Sequence, residues 1–181
     1  MFKKLRLKIG EWVLKKELRK ENRKPALTNL KNARLIGVVA EASSLKELED
    51  VKLFLDQLAK QYKQVYPLVY MDVKKIPETS LDKFKNISFF CRKDLNYKYI
   101  PVRPDLVEFI GKEFEVLIDL SLVSYFPLKY ITSVSKARLK VARLNPNSNP
   151  ADILIDISKR PSVKYLTEQI DTYLDMLTNN K

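Results

Sequence analysis

The spacing of apolar residues changes several times along the chain, and the sharpest feature is FEVLIDLSL at residues 114–122. Val116, Leu117 and Ile118 form an unbroken apolar run, too short for a helix of its own, that stops at Asp119 and Ser121. A continuous run, unlike an alternating one, predicts a strand covered on both faces, as in a parallel sheet between two helix layers. The same reading gives further strands at 35–40 (LIGVVA), 65–73 (VYPLVYMDV), 87–91 (ISFFC), 139–144 and 153–157. Between them, Leu45, Leu48, Val51, Leu55, Leu58 and Tyr62 lie three or four apart, which predicts a helix, and Ser44 and Glu47 before it have capping-box spacing. Pro104 opens a short helix with Leu106, Val107 and Ile110, and another runs from Pro127 to about residue 136. Pro161 opens the last, whose stripe is Val163, Leu166, Ile170, Tyr173, Leu174 and Leu177. Residues 77–85 read as a loop and NPNSNP at 145–150 as a turn cluster.

The amino-terminal stretch is different in kind. Residues 1–24 consist almost throughout of good helix formers and stop at the Lys24-Pro25 step. They carry two apolar stripes: Phe2, Leu5, Ile9 and Trp12 with Val13, and separately Leu7, Leu14 and Leu18. A polar connector at 25–34 leads into one α/β domain at 35–181. Two readings of the helix follow. One stripe packs on the domain or on a second copy of the chain, giving a protein partner or a homo-oligomer. Alternatively the helix is interfacial, with Trp12 and Phe2 among lipid headgroups and Lys3, Lys4, Arg6, Lys8, Lys15 and Lys16 drawn to anionic lipid, or the same cations to nucleic-acid phosphate. Glu11, Glu17 and Glu21 interrupt that cationic surface.

Because consecutive elements tend to be neighbours and parallel crossovers are right-handed, the strands predict a three-layer Rossmann-like, mostly parallel sheet of about six strands in the order 3-2-1-4-5-6. The links between strands two and three and between five and six carry no clear helical pattern, which leaves the direction of the outer strands open. In such a sheet the default crevice lies beyond the carboxyl ends of strands one and four, where the order reverses. One loop there supplies Glu41, Ser43 and Ser44 and the other Asp119, Ser121 and Ser124, with Asp72 one strand away. Helix-start amides and serine hydroxyls suit an anion, and carboxylates suit a ribose hydroxyl or a metal. The same residue types also simply cap turns and helices.

Charge changes this picture only by its location. Of the formal net charge of +12, residues 1–24 hold +7, from ten Lys or Arg against three Glu. Residues 120–151 have no acidic residue but contain Lys129, Lys136, Arg138, Lys140 and Arg143, so Lys136, Arg138 and Lys140 form a second candidate anion surface. Composition excludes more than it proposes. Without histidine the chain can build neither a Ser-His-Asp triad nor a histidine metal site, and its single Cys91 rules out a four-thiolate zinc site. With Gly10, Gly37 and Gly111 as its only glycines, it has neither a dinucleotide fingerprint nor a P-loop. No cofactor and no metal site is predicted, and catalysis is the lesser reading. The lone Cys91 fits a reducing compartment, so the expected address is the cytoplasm, with peripheral membrane attachment as the extension of the interfacial reading.

The basic first helix, the LIGVV and FEVLIDLSL strands and the run LKYITSVSKARLKVAR, followed by a short strand and a final helix, resemble an uncharacterised bacterial family of small basic α/β proteins. That resemblance implies a fold and no activity. The segment 119–143 is also similar to the amino-terminal half of heptosyltransferase-type glycosyltransferases, in which a strand ending in Asp is followed by a helix and a basic strand. This chain has Ala142 where that pattern has glycine. The expectation is a non-catalytic binding or interaction module, and the alternative is an enzyme that binds a nucleotide, a nucleotide sugar or another small molecule in the crevice.

Overall fold

A computed structural model describes all of the chain except residues 1, 21–22, 29, 31–32, 62–63, 146–150 and 177–181. Six strands, β1 (Leu35–Glu41), β2 (Gln64–Met71), β3 (Ser88–Cys91), β4 (Val116–Asp119), β5 (Leu139–Arg143) and β6 (Ile153–Ile155), form one sheet in the order β3-β2-β1-β4-β5-β6. All five pairings are parallel, including those of the two edge strands. The helices are α1 (Phe2–Leu18), α2 (Leu45–Gln61), α3 (Glu78–Lys83), α4 (Pro104–Gly111), α5 (Phe126–Val134) and α6 (Val163–Met176).

Successive strand residues point to opposite faces, so a strand buried on both must be apolar throughout. In β4, Val116 and Ile118 join the layer that α2 and α6 cover through Leu48, Val51, Leu58, Leu166, Ile170 and Leu174. Leu117 joins the opposite layer, with Leu106 and Phe109 of α4 and Leu128 and Ile131 of α5. Val39 of β1 faces that second layer as well, while Ile36, Val38 and Ala40 face the first. The central position of β4 is therefore a consequence of its residues. Its pairing is shorter than the nine-residue segment predicts, spanning Val116–Asp119, although Phe114 and Leu120 beyond it are also buried.

The predicted loop at 77–85 contains α3, which the apolar spacing missed because six residues, ETSLDK, carry no stripe of their own. Val163 begins the final helix, and the Ser162 hydroxyl accepts the Tyr165 N–H at 3.2 Å as its cap, so Pro161 lies before the helix and does not open it. Tyr173 of the predicted stripe is exposed, and Leu177 lies outside the described residues. Most of the turn cluster at 145–150 and the end of the second predicted helix at Tyr62 lie outside them too.

Candidate functional site

The parallel sheet brings the ends of β1 and β4 together, with Val39 opposite Asp119. Glu41 closes the gap between the two loops: its Oε1 accepts the N–H groups of Leu122 at 3.0 Å and Val123 at 2.7 Å. Its other carboxylate oxygen is buried without a hydrogen-bond partner. Burial, with a further push from the charge of Asp119, raises the Glu41 carboxyl to about 7 against the opposing pull of the two N–H groups. Asp119 is buried as well, and one oxygen accepts the Ser121 N–H at 2.9 Å while the other accepts the Thr132 hydroxyl at 2.8 Å. Burial also pushes Asp119 upward, opposed by those hydrogen bonds and by the nearby Arg143. Arg143 donates from Nε to the Ser121 carbonyl at 2.8 Å.

The other predicted residues are committed to their own neighbours. The Ser44 hydroxyl accepts the Glu47 N–H, and the Glu47 carboxylate accepts both the N–H and the hydroxyl of Ser43. The start of α2 is thus occupied by a carboxylate from its own chain, the place an external anion would take. Asp72 accepts from the Nε and Nη2 of Arg92 at 2.6 and 2.8 Å and from the Tyr70 hydroxyl at 2.9 Å, and the guanidinium holds its carboxyl below the usual range. Ser121 is held by its backbone alone, its hydroxyl being buried without a hydrogen-bond partner, and Ser124 has no such role. It lines a cavity of about 40 Å³ with Asp119, Ser121, Tyr125, Lys129 and Arg143, room for a few water molecules. Sequence reasoning missed Thr132, Tyr125, Arg92 and Arg143 as parts of this end of the sheet. Arg143 was within reach, because β5 pairs beside β4 with Ala142 opposite Asp119, which puts the next residue at the crevice. A family profile for a family of unknown function, DUF6913, matches residues 6–177.

This chain belongs to the DUF6913 family. No curated protein and no solved structure matches it. The DUF6913 match starts at Arg6 and so takes in most of α1.

That helix is docked, though not on either predicted stripe as a whole. Its buried residues are Gly10 and Leu14, with Leu14 packed against Ile100 and Phe126 and with Val13, Tyr99 and Tyr130 at the margin. At Gly10 a Cβ would stand 2.4 Å from the Lys98 carbonyl oxygen and 2.8 Å from the Phe126 ring, so only glycine permits this approach. The seat is a loop in which Tyr99 takes φ 61°, the one positive φ outside glycine among the described residues. The Asn96 side chain holds that loop by accepting the N–H groups of Lys98 at 2.8 Å and Ile100 at 3.2 Å. Arg6 completes the contact, donating to the Tyr97 carbonyl at 2.6 Å with its guanidinium 4.7 Å from the centre of the Tyr99 ring. Further along, Arg23 pairs with Asp152 and Ala26 donates to the Arg138 carbonyl at 3.0 Å.

Docking by this side leaves the opposite side in water. Phe2 is 82%, Leu5 57% and Trp12 63% exposed, and Lys4, Lys8, Lys15 and Lys16 are exposed around them, while Lys3, also exposed, lies on the side of Gly10. Lys16 reaches back over the Trp12 ring at 5.7 Å. Of the acids expected to break up this surface, Glu17 is half-buried and pairs with Lys20 at 3.6 Å, Glu11 is half-buried, and Glu21 lies outside the described residues.

The second basic surface is smaller than predicted. Lys136 and Arg138 are exposed, but Lys140 is buried and donates from Nζ to the Ser133 carbonyl at 2.6 Å. The strand places Leu139 and Val141 on one face and therefore Lys140 on the other, beneath α5, where the carbonyls at the helix carboxyl end favour a cation. A larger cavity, about 390 Å³, lies between α2, the start of β2 and the α3–β3 turn, floored by Leu55, Val65, Phe84 and Ile87. It forms because α3 is too short to cover that edge of the sheet, and nothing in the residue pattern announced it. Among the described residues no group of three or more Cys, Asp or Glu is placed to hold a metal ion, and no helix is long and apolar enough to cross a membrane.

Proposed function

We propose that this DUF6913 chain is a non-catalytic interaction module in which the α/β domain is a rigid mount for α1, and the outward side of α1 attaches to an acidic partner surface. The observation that carries this reading is the docking geometry: Gly10 and Leu14 face the domain, and the lysines at 4, 8, 15 and 16 face away from it. Arg6 serves the docked state, since it holds the Tyr97–Tyr99 loop. The alternative, an enzyme acting in the crevice, is supported less, because Asp119 already accepts at both oxygens and Glu41 at one, and the cavity is about 40 Å³.

Heparin, a polyanion with no apolar part, tests the reading. The wild-type chain should be retained at low salt and released as salt rises, since exposed charge pairs are screened within roughly 10 Å at 0.1 M. Replacing Lys4, Lys8, Lys15 and Lys16 by Gln should lower the eluting salt well below that of a Lys136→Gln, Arg138→Gln variant. Equal losses in the two variants, or no retention of the wild type, would overturn it.

A further inference from the structure

The composition of the outward side of α1 narrows the partner. Polyanions in general need only the lysines, yet the most exposed large apolar side chains of the helix, Phe2, Leu5 and Trp12, stand beside them and touch nothing that buries them. Lys8 lies one turn before Trp12, and Lys15 and Lys16 lie one turn after it, so the apolar residues are flanked by cations along the helix. A partner complementary to this surface is acidic on its outside and accepts alkyl and aromatic side chains just beneath. Face to face, a second copy of the chain would set lysine against lysine, with the half-buried Glu11 as the acid near this helix side among the described residues. Nucleic acid can stack on Phe2 and Trp12 but offers Leu5 nothing comparable.

Resting on the attachment reading above, we infer that the acidic surface is an anionic lipid bilayer, with Phe2, Leu5 and Trp12 entering the headgroup layer and Lys4, Lys8, Lys15 and Lys16 meeting the phosphates. Tryptophan and phenylalanine at such an interface place an apolar ring below the phosphates, and lysine stems extend along the apolar surface with the ammonium in water. Each lysine near an anionic leaflet contributes on the order of a fivefold gain in partitioning. Because the binding side is already outward, the helix has no need to leave its seat on Lys98 and Phe126 to engage the membrane.

Trp12 is the only tryptophan in the chain, so its fluorescence reports on this surface alone. The full chain is mixed at low salt with phosphatidylcholine vesicles with and without phosphatidylglycerol, and with the same vesicles carrying brominated acyl chains. The expected result is a blue shift and bromine quenching with the anionic vesicles, and little change with phosphatidylcholine alone. A Phe2→Ser, Leu5→Ser variant should lose about tenfold or more in vesicle partitioning while keeping its heparin retention, given the apolar area removed. Heparin retention without vesicle binding or without quenching would overturn the lipid inference and leave the attachment reading standing. Loss of both in the wild type would overturn both. A Trp12 blue shift without lipid, accompanied by dimer formation in sedimentation, would also overturn the inference by showing a second copy on this surface.

Discussion

The two polar-rich regions of this molecule use their side chains in opposite ways. At the carboxyl ends of β1, β4 and β2 most of the polar groups the fold gathers are spent internally, one Glu41 oxygen and the Ser121 hydroxyl excepted: Glu41 ties one loop to the next, Asp119 is held by Ser121 and Thr132, Asp72 by Arg92 and Tyr70, and Ser43 and Ser44 by Glu47. On α1 the polar and apolar groups that are spent internally are few, Arg6, Gly10 and Leu14 chief among them, and the rest stand in water. The crevice is where the fold family of open α/β sheets places ligands by default, whereas the helix is an addition to that sheet. A default position indicates where a site can be built, and the hydrogen-bond partners show whether its groups remain available.

The largest expected effect concerns Glu41 and tests whether the crevice is a structural knot. Its folded carboxyl is raised to about 7 from 4.5, so the folded state holds a proton that the unfolded chain has released across that interval. The contribution is therefore fully present below about pH 4.5 and is lost as pH rises through about 7, so stability falls with rising pH in that window. The size is up to about 3 kcal/mol, and the raised carboxyl of Asp119 acts in the same direction. Chemical denaturation at a series of pH values should show that slope, and Glu41→Gln, which cannot ionise, should flatten most of it. An unchanged slope in the variant would place the proton uptake elsewhere.

The second effect is at the helix seat. Replacing glycine by alanine inside a helix ordinarily stabilises by about 1 kcal/mol. At Gly10 the sign should reverse, because the added carbon meets the Lys98 carbonyl oxygen at 2.4 Å, and overpacking of this kind costs about 1–3 kcal/mol. Gly10→Ala should lower the thermal midpoint or release α1 to proteolysis between residues 18 and 35, without altering β1 to β6. A stabilised variant would mean that α1 is not seated as described and would remove the ground for treating the domain as its mount.

How far the residues disclosed all this differs between the two regions for physical reasons. The strand order follows from connectivity rules acting on six apolar runs, and Glu41, Asp119, Ser121 and Ser124 do meet at one end of the sheet as its topology requires. Availability was not legible, since it depends on partners such as Thr132 and Arg143 that come from other elements. For α1, amphipathic spacing presumes that the larger apolar stripe turns inward. Here contact is set by the close approach of two backbones at Gly10, which needs little apolar area, and the stripe with Phe2 and Trp12 is left outside. Lys140 shows the converse: a lysine counted as surface by its charge is carried inward by strand alternation and paid for by the end of α5.

The smallest expected effect is the one that separates the two regions most cleanly. If Phe2, Leu5 and Trp12 are present for a partner and not for the fold, their removal should leave folding almost untouched. Substitutions at exposed positions away from caps, cores and ion pairs change stability by within roughly 0.5 kcal/mol. A Leu5→Ser, Trp12→Ser variant should therefore unfold at a denaturant midpoint close to that of the wild type, with the pH slope of Glu41 preserved. Its helix content should also be unchanged, because Leu14 remains in its contact with Ile100 and Phe126. Differential stability of this kind is the signature of residues retained for contact with something outside the chain, since an exposed apolar side chain contributes nothing to the core. A loss of about 2 kcal/mol or more would show instead that the outward side of α1 is covered in solution, by the domain or by a second copy.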